Sequence, residues 1–269
     1  MTYRELCHLF ANAGIPDAKG EARLLFCSLS GISPARLLAD PGTAFADERL
    51  AALAAQRCEG TPLQYLLGEA YFYGERYRVS PQVLIPRPDT EILVEKAIRD
   101  LPVGVFADLC TGSGCVAISV LSHRPELTAH AFDISEGALE IARENAKDNG
   151  VEDRISFFKR DLLSEPLPQR YAGILSNPPY IPSSTVPTLS REVQKEPILA
   201  LDGGEDGLIF YRHFLSTLRE NLLPGGSFFF EIGYDQEEAI LALGKEMGYR
   251  AFVLRDLSQN PRCAVLTPQ

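Results

Sequence analysis

The sequence lacks the features that place a protein in a membrane or outside the cell. None of its apolar runs approaches the length of a membrane span. The first six residues, Met-Thr-Tyr-Arg-Glu-Leu, turn polar and acidic too early for a signal peptide. We therefore expect a cytoplasmic protein with no membrane partner.

Paired cysteines of the kind that hold metals or carry redox chemistry are also missing. The chain has 6 cysteines, all scattered, and no Cys-x-x-Cys pair occurs. This spacing disfavours a zinc knuckle or a dithiol redox centre, so we predict no metal site. Free thiols in a reducing compartment are the expected state.

Positive charge is scarce. The 269 residues include 26 Lys and Arg against 36 Asp and Glu, which gives a net charge of -10 at pH 7. Proteins that grip DNA or RNA along the backbone usually present a basic face. The acidic balance therefore disfavours nucleic acid as the direct substrate.

The N-terminal quarter of the chain has the pattern of a small helical bundle. Apolar residues recur at helical spacing between prolines and glycines, which predicts four or five short helices, and Thr2 is suited to cap the first. Aromatic runs around a Gly-Glu pair then indicate a β-hairpin. We predict a helical substrate-recognition domain over residues 1–65, a β-hairpin linker over 66–88 and a catalytic domain over 89–269.

Strands and helices alternate in the rest of the chain. Such alternation indicates right-handed crossovers and a parallel sheet covered by helices on both faces. The last two strands are joined by a short link without a helix, which predicts an antiparallel hairpin at the sheet edge. The fold class is therefore α/β, with seven strands, mostly parallel, in a Rossmann-like sheet. The strands are expected at 103–108, 128–134, 155–160, 172–176, 226–232, 249–255 and 262–267, and the helices between them at 114–122, 136–149, 206–221 and 235–247.

A glycine-rich loop follows the first of these strands. Residues 108–115 read Asp-Leu-Cys-Thr-Gly-Ser-Gly-Cys, and the glycines allow a ligand to lie against the backbone. The Lys-Ser/Thr pair of a nucleoside triphosphate loop is missing. Gly112, Gly114 and Asp133 instead match the dinucleotide-binding pattern, in which the acidic residue accepts hydrogen bonds from two ribose hydroxyls. NAD and S-adenosylmethionine share this requirement, so these residues alone do not choose between them.

Two further carboxylates favour S-adenosylmethionine. Asp108 begins the loop, where a carboxylate suits a ligand with an ammonium and a sulfonium better than a pyrophosphate. Asp161 ends the third strand, where it can accept from an adenine amino group, and Leu162 beside it can pack on the ring face. Three carboxylates at successive strand ends around one glycine loop therefore predict S-adenosylmethionine as the cofactor, with Asp108, Asp133, Asp161 and Leu162 among its contacts.

The fourth strand leads into the tetrapeptide Asn177-Pro178-Pro179-Tyr180. Two consecutive prolines stiffen the backbone at the carboxyl end of a strand, which is where ligands bind in open α/β sheets. The tetrapeptide resembles the motif of methyltransferases that alkylate a nitrogen conjugated to a π-system, such as a glutamine amide, adenine N6 or guanine N2. The Asn177 side-chain oxygen and the Pro178 carbonyl would accept from the two N–H groups, and Tyr180 would stack on the flat group. We predict catalysis by orientation and electrostatics, without a strong general base.

Nearly the whole chain is similar to HemK-type protein-(glutamine-N5) methyltransferases, which modify peptide chain release factors. The helical N-terminal domain, the segment Leu-Ile-Pro-Arg-Pro-Asp-Thr-Glu at 84–91, the glycine loop at 108–114 and Ser-Asn-Pro-Pro-Tyr at 176–180 match in order. The resemblance implies a class I methyltransferase fold and, as substrate, the glutamine of the Gly-Gly-Gln loop of release factors. Peptide chain release factors are then the expected partners.

The resemblance also implies a set of site residues. Asn177 would bridge cofactor and glutamine, with Pro178, Pro179 and Tyr180 shaping the substrate pocket. Arg87, held between two prolines, is a further candidate for substrate binding. An aromatic residue that follows the third-strand acid in some relatives is replaced here by Leu162, and the chain has 0 Trp. The cofactor contacts are predicted at Asp108, Cys110, Thr111, Gly112, Ser113, Gly114, Asp133, Asp161, Leu162 and Asn177, and the catalytic residues at Asn177, Pro178 and Tyr180.

Four alternatives stay open at this point. A glutamine methyltransferase that acts on a ribosomal protein shares the glycine loop and the tetrapeptide, but it resembles this chain less at residues 87–91. A nucleic-acid adenine-N6 methyltransferase would need a basic groove. A nicotinamide dehydrogenase would leave the tetrapeptide without a role, and a non-catalytic binding module would not need Asn177 and Asp133.

Overall fold

The computed structural model describes all 269 residues, which form two compact units. One unit comprises Met1–Glu69 together with Ser190–Lys195, and the other comprises Ala70–Leu189 and Glu196–Gln269. The domain bounds drawn from the sequence stay a prediction. The helices are α1 (Tyr3–Asn12), α2 (Ala18–Ser30), α3 (Pro34–Ala39), α4 (Glu48–Cys58), α5 (Leu63–Leu67), α6 (Glu91–Asp100), α7 (Cys115–His123), α8 (Glu136–Asp148), α9 (Ile209–Thr217) and α10 (Glu237–Glu246). No helix is both long and apolar enough to span a membrane.

The first unit is a five-helix bundle around a single apolar core. Thr2 caps α1 in a capping box with Glu5, which satisfies two backbone donors at the helix start. The short segment Ser190–Lys195 joins this unit through Arg57, whose buried guanidinium pairs with Glu21 at 2.5 Å and with Glu192 at 2.6 Å. Two carboxylates therefore compensate the cost of burying this charge.

A β-hairpin, β1 (Glu69–Phe72) and β2 (Glu75–Arg78), lies at the place the sequence predicts, and all of it except Glu69 belongs to the second unit. Its turn residues, Tyr73 and Gly74, both have positive φ, the backbone form that fits a tight hairpin. The hairpin is anchored on the second unit because Arg78 N donates to Asn145 Oδ1 at 2.7 Å.

The main sheet has seven strands in the order β5-β4-β3-β6-β7-β9-β8. All pairs are parallel except those made by β9, which runs antiparallel to both β7 and β8. The predicted α/β fold class is confirmed, including the hairpin at the edge, and the antiparallel strand is β9, one position in from that edge. The strands are β3 (Val105–Leu109), β4 (Thr128–Asp133), β5 (Ile155–Lys159), β6 (Ile174–Ser176), β7 (Phe228–Glu231), β8 (Tyr249–Arg255) and β9 (Pro261–Pro268).

Two apolar clusters cover the faces of this sheet. One contains residues of α6 and α7 and the other contains residues of α9 and α10, so helices lie on both faces as the alternation predicts. The central strands β3, β6 and β7 are buried almost throughout, which is typical of parallel strands covered on both faces. Their carboxyl ends therefore lie together along one edge of the sheet.

Candidate active site

A cavity of about 250 Å³ opens at the carboxyl ends of the parallel strands. The glycine loop after β3, the end of β4, the segment after β5 and the tetrapeptide after β6 all contribute to its wall. Residues 82–84, 86 and 87 line it too, so the segment predicted as a linker forms part of the site. Of the predicted site residues, those that line the cavity are Arg87, Asp108, Cys110, Thr111, Gly112, Ser113, Asp133, Asp161, Leu162, Asn177 and Pro179.

The glycine loop turns sharply between β3 and α7. Cys110 and Gly112 both have positive φ, 58° and 54°, so the backbone turns in the left-handed region immediately after the strand. Gly114 does not line the cavity, and its role is packing, since a Cβ there would lie 2.8 Å from Ile118 Cδ1 and 3.2 Å from Ala142 Cβ. This glycine lets α7 approach α8 closely.

Asp133, at the end of β4, organises this loop. Its Oδ2 accepts from Gly112 N at 2.9 Å and its Oδ1 accepts from Ser135 N at 2.9 Å. Burial raises the pKa of Asp133, while the backbone hydrogen bonds oppose that shift. Each carboxylate oxygen keeps a further lone pair, so the side chain can still accept from two ribose hydroxyls.

Asp108 is a buried carboxyl in the cavity wall, with 1% of its surface exposed. Thr111 Oγ1 donates to its Oδ2 at 2.6 Å. Burial raises the pKa of Asp108 to about 7, against the opposing hydrogen bonds from Thr111 and from the Ala117 backbone. With a pKa of about 7, this carboxyl is partly ionised near neutral pH, and a bound ammonium or sulfonium would favour its ionised form further.

Asp161 follows β5 in a more solvated position. Ser164 Oγ donates to Oδ2 at 2.7 Å and Leu163 N donates to Oδ1 at 3.1 Å, and these bonds lower the pKa of Asp161. The carboxylate therefore stays ionised as an acceptor near the cavity. Leu162 is buried beside it and lines the cavity, so it supplies an apolar face of the kind an adenine ring packs on.

Only two of the four residues of the tetrapeptide line the cavity. Asn177 and Pro179 line the cavity, whereas Pro178 and Tyr180 do not. The Tyr180 hydroxyl donates to Glu231 Oε1 at 3.2 Å, and its carbonyl accepts from Gln236 Nε2 at 3.1 Å. These bonds hold the turn rigid, so the structure places Tyr180 as a support of the motif rather than as a face of the cavity.

Arg87 lines the cavity but is already paired. Its guanidinium forms an ion pair with Glu196, a carboxylate with 4% of its surface exposed. Glu196 Oε2 also accepts from Ile85 N at 3.0 Å. The pair thus ties residues 85–87 to the start of the segment that carries Pro197 and Leu199 into the cavity wall.

Several residues of the site belong to no motif that the sequence analysis could recognise. The apolar residues Ile134, Leu199 and Phe210 line the cavity, but in the sequence they look like ordinary strand-end, loop and helix residues, although Ile134 directly follows the predicted Asp133. Thr90 and Glu231 form a buried hydrogen bond of 2.5 Å next to Asn177, across 141 residues of sequence. Only the tertiary structure brings these groups to the site.

The cavity fits S-adenosylmethionine by the chemistry of its walls. It combines the buried Asp108 and the half-buried Asp133, both of raised pKa, with an ionised Asp161 and a largely apolar remainder. Carboxylates match the ligand's ribose, ammonium and sulfonium, and apolar walls match its adenine. No group of three or more His, Cys, Asp or Glu side chains is arranged to hold a metal ion.

Comparison with known proteins agrees with this geometry. A family model described as the methyltransferase small domain matches residues 88–203, and one described as the PrmC N-terminal domain matches residues 2–68. Among solved structures, ribosomal protein L11 methylase from Lactobacillus delbrueckii subsp. bulgaricus is 20% identical with a TM-score of 0.52, over 74% of this chain and 90% of that one. This likeness concerns the fold alone.

Curated relatives match over nearly the full length. The release factor glutamine methyltransferase of Moorella thermoacetica is 38% identical over 96% of this chain and 94% of its own. That of Cereibacter sphaeroides is 40% identical over 94% of this chain and 92% of its own. The chain belongs to the release factor glutamine methyltransferase family.

Proposed function

We propose that this protein transfers a methyl group from S-adenosylmethionine to the side-chain amide nitrogen of the glutamine in the Gly-Gly-Gln motif of peptide chain release factors. The observation that carries this proposal is that Asn177 lines the same cavity as the glycine loop and Asp133. A methyl donor held by the loop and an amide held at Asn177 would therefore share one enclosed space. Membership of the family supports the choice of substrate.

The tetrapeptide provides the acceptors that an amide nitrogen needs. Asn177 Nδ2 donates to Thr90 Oγ1 at 3.3 Å, which leaves Asn177 Oδ1 for a substrate N–H. Pro178 does not line the cavity, but its carbonyl follows Asn177 directly and receives no hydrogen bond from another group of the protein, and we propose that it accepts the second N–H when the substrate is bound. Two fixed acceptors orient the nitrogen lone pair towards the donor, and orientation supplies much of the rate in such a reaction.

The chemistry balances without a dedicated base. When bound, S-adenosylmethionine supplies an electrophilic methyl group on its sulfonium. With this donor bound, the N–C bond would form as the S–C bond breaks, and the alkylated amide nitrogen would then lose a proton to an acceptor or to water. The acidity of that nitrogen explains why none of the four histidines is needed at the site, and none lines the cavity.

The substrate proposal is tested by methylation with labelled S-adenosylmethionine. We expect the purified protein to label an intact release factor and not the same factor with Gln→Ala in its Gly-Gly-Gln loop. Labelling of a ribosomal protein or of nucleic acid instead would overturn the proposal. Because release factors act on ribosomes, we place the enzyme in the cytoplasm.

Cofactor affinity should depend on pH through Asp108. Its pKa lies at about 7 in the free protein, and a cationic ligand binds the ionised form, so affinity should rise as pH rises through 7. We expect the Kd for S-adenosylmethionine to fall roughly tenfold between about pH 6 and about pH 8, as the ionised fraction grows. Titration calorimetry at several pH values measures this change.

The matched control is Asp108→Asn, which keeps the acceptor for Thr111 but cannot ionise. We expect weaker binding and a flatter pH dependence in this variant, and any slope that remains belongs to the ligand. An equal slope in both proteins would rule out Asp108 as the titrating group.

A further inference from the structure

A buried chain of hydrogen bonds lies next to the catalytic tetrapeptide. Asn177 Nδ2 donates to Thr90 Oγ1 at 3.3 Å, and Thr90 Oγ1 donates to Glu231 Oε2 at 2.5 Å. Tyr180, from the tetrapeptide itself, donates to the other oxygen of Glu231. Thr90 and Glu231 are each 2% exposed, and only Thr90 also lines the cavity.

The parts of this chain come from three separate elements. Asn177 follows β6, Glu231 ends the neighbouring strand β7, and Thr90 lies in the turn that starts α6. The Glu231 backbone carbonyl is further held by the Tyr211 hydroxyl at 2.7 Å. The carboxylate therefore has a fixed position from which it can act on Thr90.

The direction of the hydrogen bonds follows from the ionised carboxylate. A carboxylate can only accept hydrogen bonds, so the hydroxyl proton of Thr90 must be donated to Glu231. Thr90 Oγ1 can then only accept from Asn177, which forces Asn177 to present Nδ2 to Thr90 and Oδ1 to the cavity. With the opposite amide orientation, Asn177 would face the substrate with N–H donors, which cannot bind another amide N–H.

We propose that Thr90 and Glu231 are positioning residues that fix the orientation of the Asn177 amide so that its oxygen accepts from the glutamine substrate. This inference rests on the proposed function, because it gives these residues a role in that reaction. Neither residue needs to touch the reacting atoms, since both act through Asn177.

Protonation of Glu231 would allow the hydrogen bonds between Glu231, Thr90 and Asn177 to reverse their direction. A neutral carboxyl can donate to Thr90, whose own proton is then free to turn towards Asn177 and allow the amide to flip. Burial raises the pKa of Glu231 to about 7, against the hydrogen bonds from Thr90 and Tyr180. Turnover should therefore increase as pH rises through about 7.

Six other titratable or charged groups interact electrostatically or by a hydrogen bond with the Glu231 carboxyl. They are Asp89, Cys115, Tyr180, Tyr211, Arg262 and Cys263.

The test compares Thr90→Val with Thr90→Ser in the full-length protein. Valine keeps the volume but has no hydroxyl, whereas serine keeps the hydroxyl. At saturating cofactor and release factor, we expect Thr90→Val to lower kcat roughly 10-fold to 100-fold, the loss typical of a misplaced reacting group, and Thr90→Ser to restore most of it. The Kd for S-adenosylmethionine, measured by calorimetry, should change less than about threefold, because Thr90 acts on orientation and not on the donor.

Three readouts separate positioning from a merely structural role. In the Asn177→Ala variant, adding Thr90→Val should not lower the single-turnover rate further, because the amide that Thr90 orients is absent. The double variant Thr90→Val with Glu231→Gln should lose no more than the worse single variant, as members of one chain are not additive. Glu231→Gln should also remove the rise of kcat near pH 7.

The opposite results overturn the proposal. These are equal losses from Thr90→Val with and without Asn177, multiplicative losses in the double variant, or a loss that appears in the cofactor Kd and the melting temperature instead of kcat. Wild-type methylation is measured first, so that a failure of the proposed function, with no labelled release factor at all, is distinguished from a failure of this inference.

Discussion

Replacement of Asn177 by alanine is expected to lower kcat roughly 10²-fold to 10³-fold, the usual effect of removing one fixed group that stabilises a transition state. The physical reason is orientation. Without Oδ1, only the Pro178 carbonyl holds the substrate nitrogen, so the lone pair no longer points at the methyl group. Single-turnover methylation of an intact release factor measures the loss.

Two measurements make this prediction specific. The cofactor Kd should change less than about tenfold, because the glycine loop and Asp133 supply most of the binding contacts. The isosteric variant Asn177→Asp keeps an acceptor oxygen of the same reach and should lose less turnover than Asn177→Ala. A near-normal kcat in the alanine variant would contradict the role proposed for this residue.

Replacement of Asp133 by alanine is expected to raise the Kd for S-adenosylmethionine roughly 100-fold, because two hydrogen bonds to a charged acceptor are lost. The variant also leaves Gly112 N and Ser135 N without their acceptor, so the loop that carries the ligand loses its anchor. Calorimetry with S-adenosylmethionine, and independently with S-adenosylhomocysteine, measures the change.

The kinetic signature should be the reverse of that for Asn177. At saturating cofactor, Asp133→Ala should retain most of the wild-type kcat, since the residue binds the donor and does not hold the amide. Asp153→Ala, at an exposed carboxylate of the same unit, is the matched control and should leave the Kd within about twofold, as expected of a surface substitution. An unchanged Kd in Asp133→Ala would exclude the ribose contact.

Much of the fold follows from local sequence patterns. The starts of β4, β5 and α8 agree with the predicted segments, because apolar periodicity and the flanking prolines and glycines act within a few residues. Helix α9 is shorter than the predicted 206–221, since Gly207 has a φ of 75° and the helix begins only at Ile209. Terminal residues depend on such local turns and are the least predictable part of an element.

The site, too, is predicted from the sequence only in part. Asn177, Asp133 and Asp108 are visible in the sequence because each stands directly at a strand end or in a glycine loop. Tyr180 is visible as part of the motif, but its predicted place on a flat substrate group differs from its hydrogen bond to Glu231 and its position outside the cavity lining. The sequence shows which residues form a motif, and it does not show which way each side chain turns.

The amino-acid sequence by itself determined the succession of elements, the glycine loop, the rigid tetrapeptide and the family, because these depend on neighbours along the chain. Only the tertiary structure decided that Thr90 lies against Asn177, 87 residues away, and that Glu231 lies beyond it. The physical reason is that strand order and side-chain burial are set by long-range packing of β6 against β7 and of α6 against β7. Burial is also what raises the pKa of Asp108 and Glu231, a property that neither residue has in the unfolded chain.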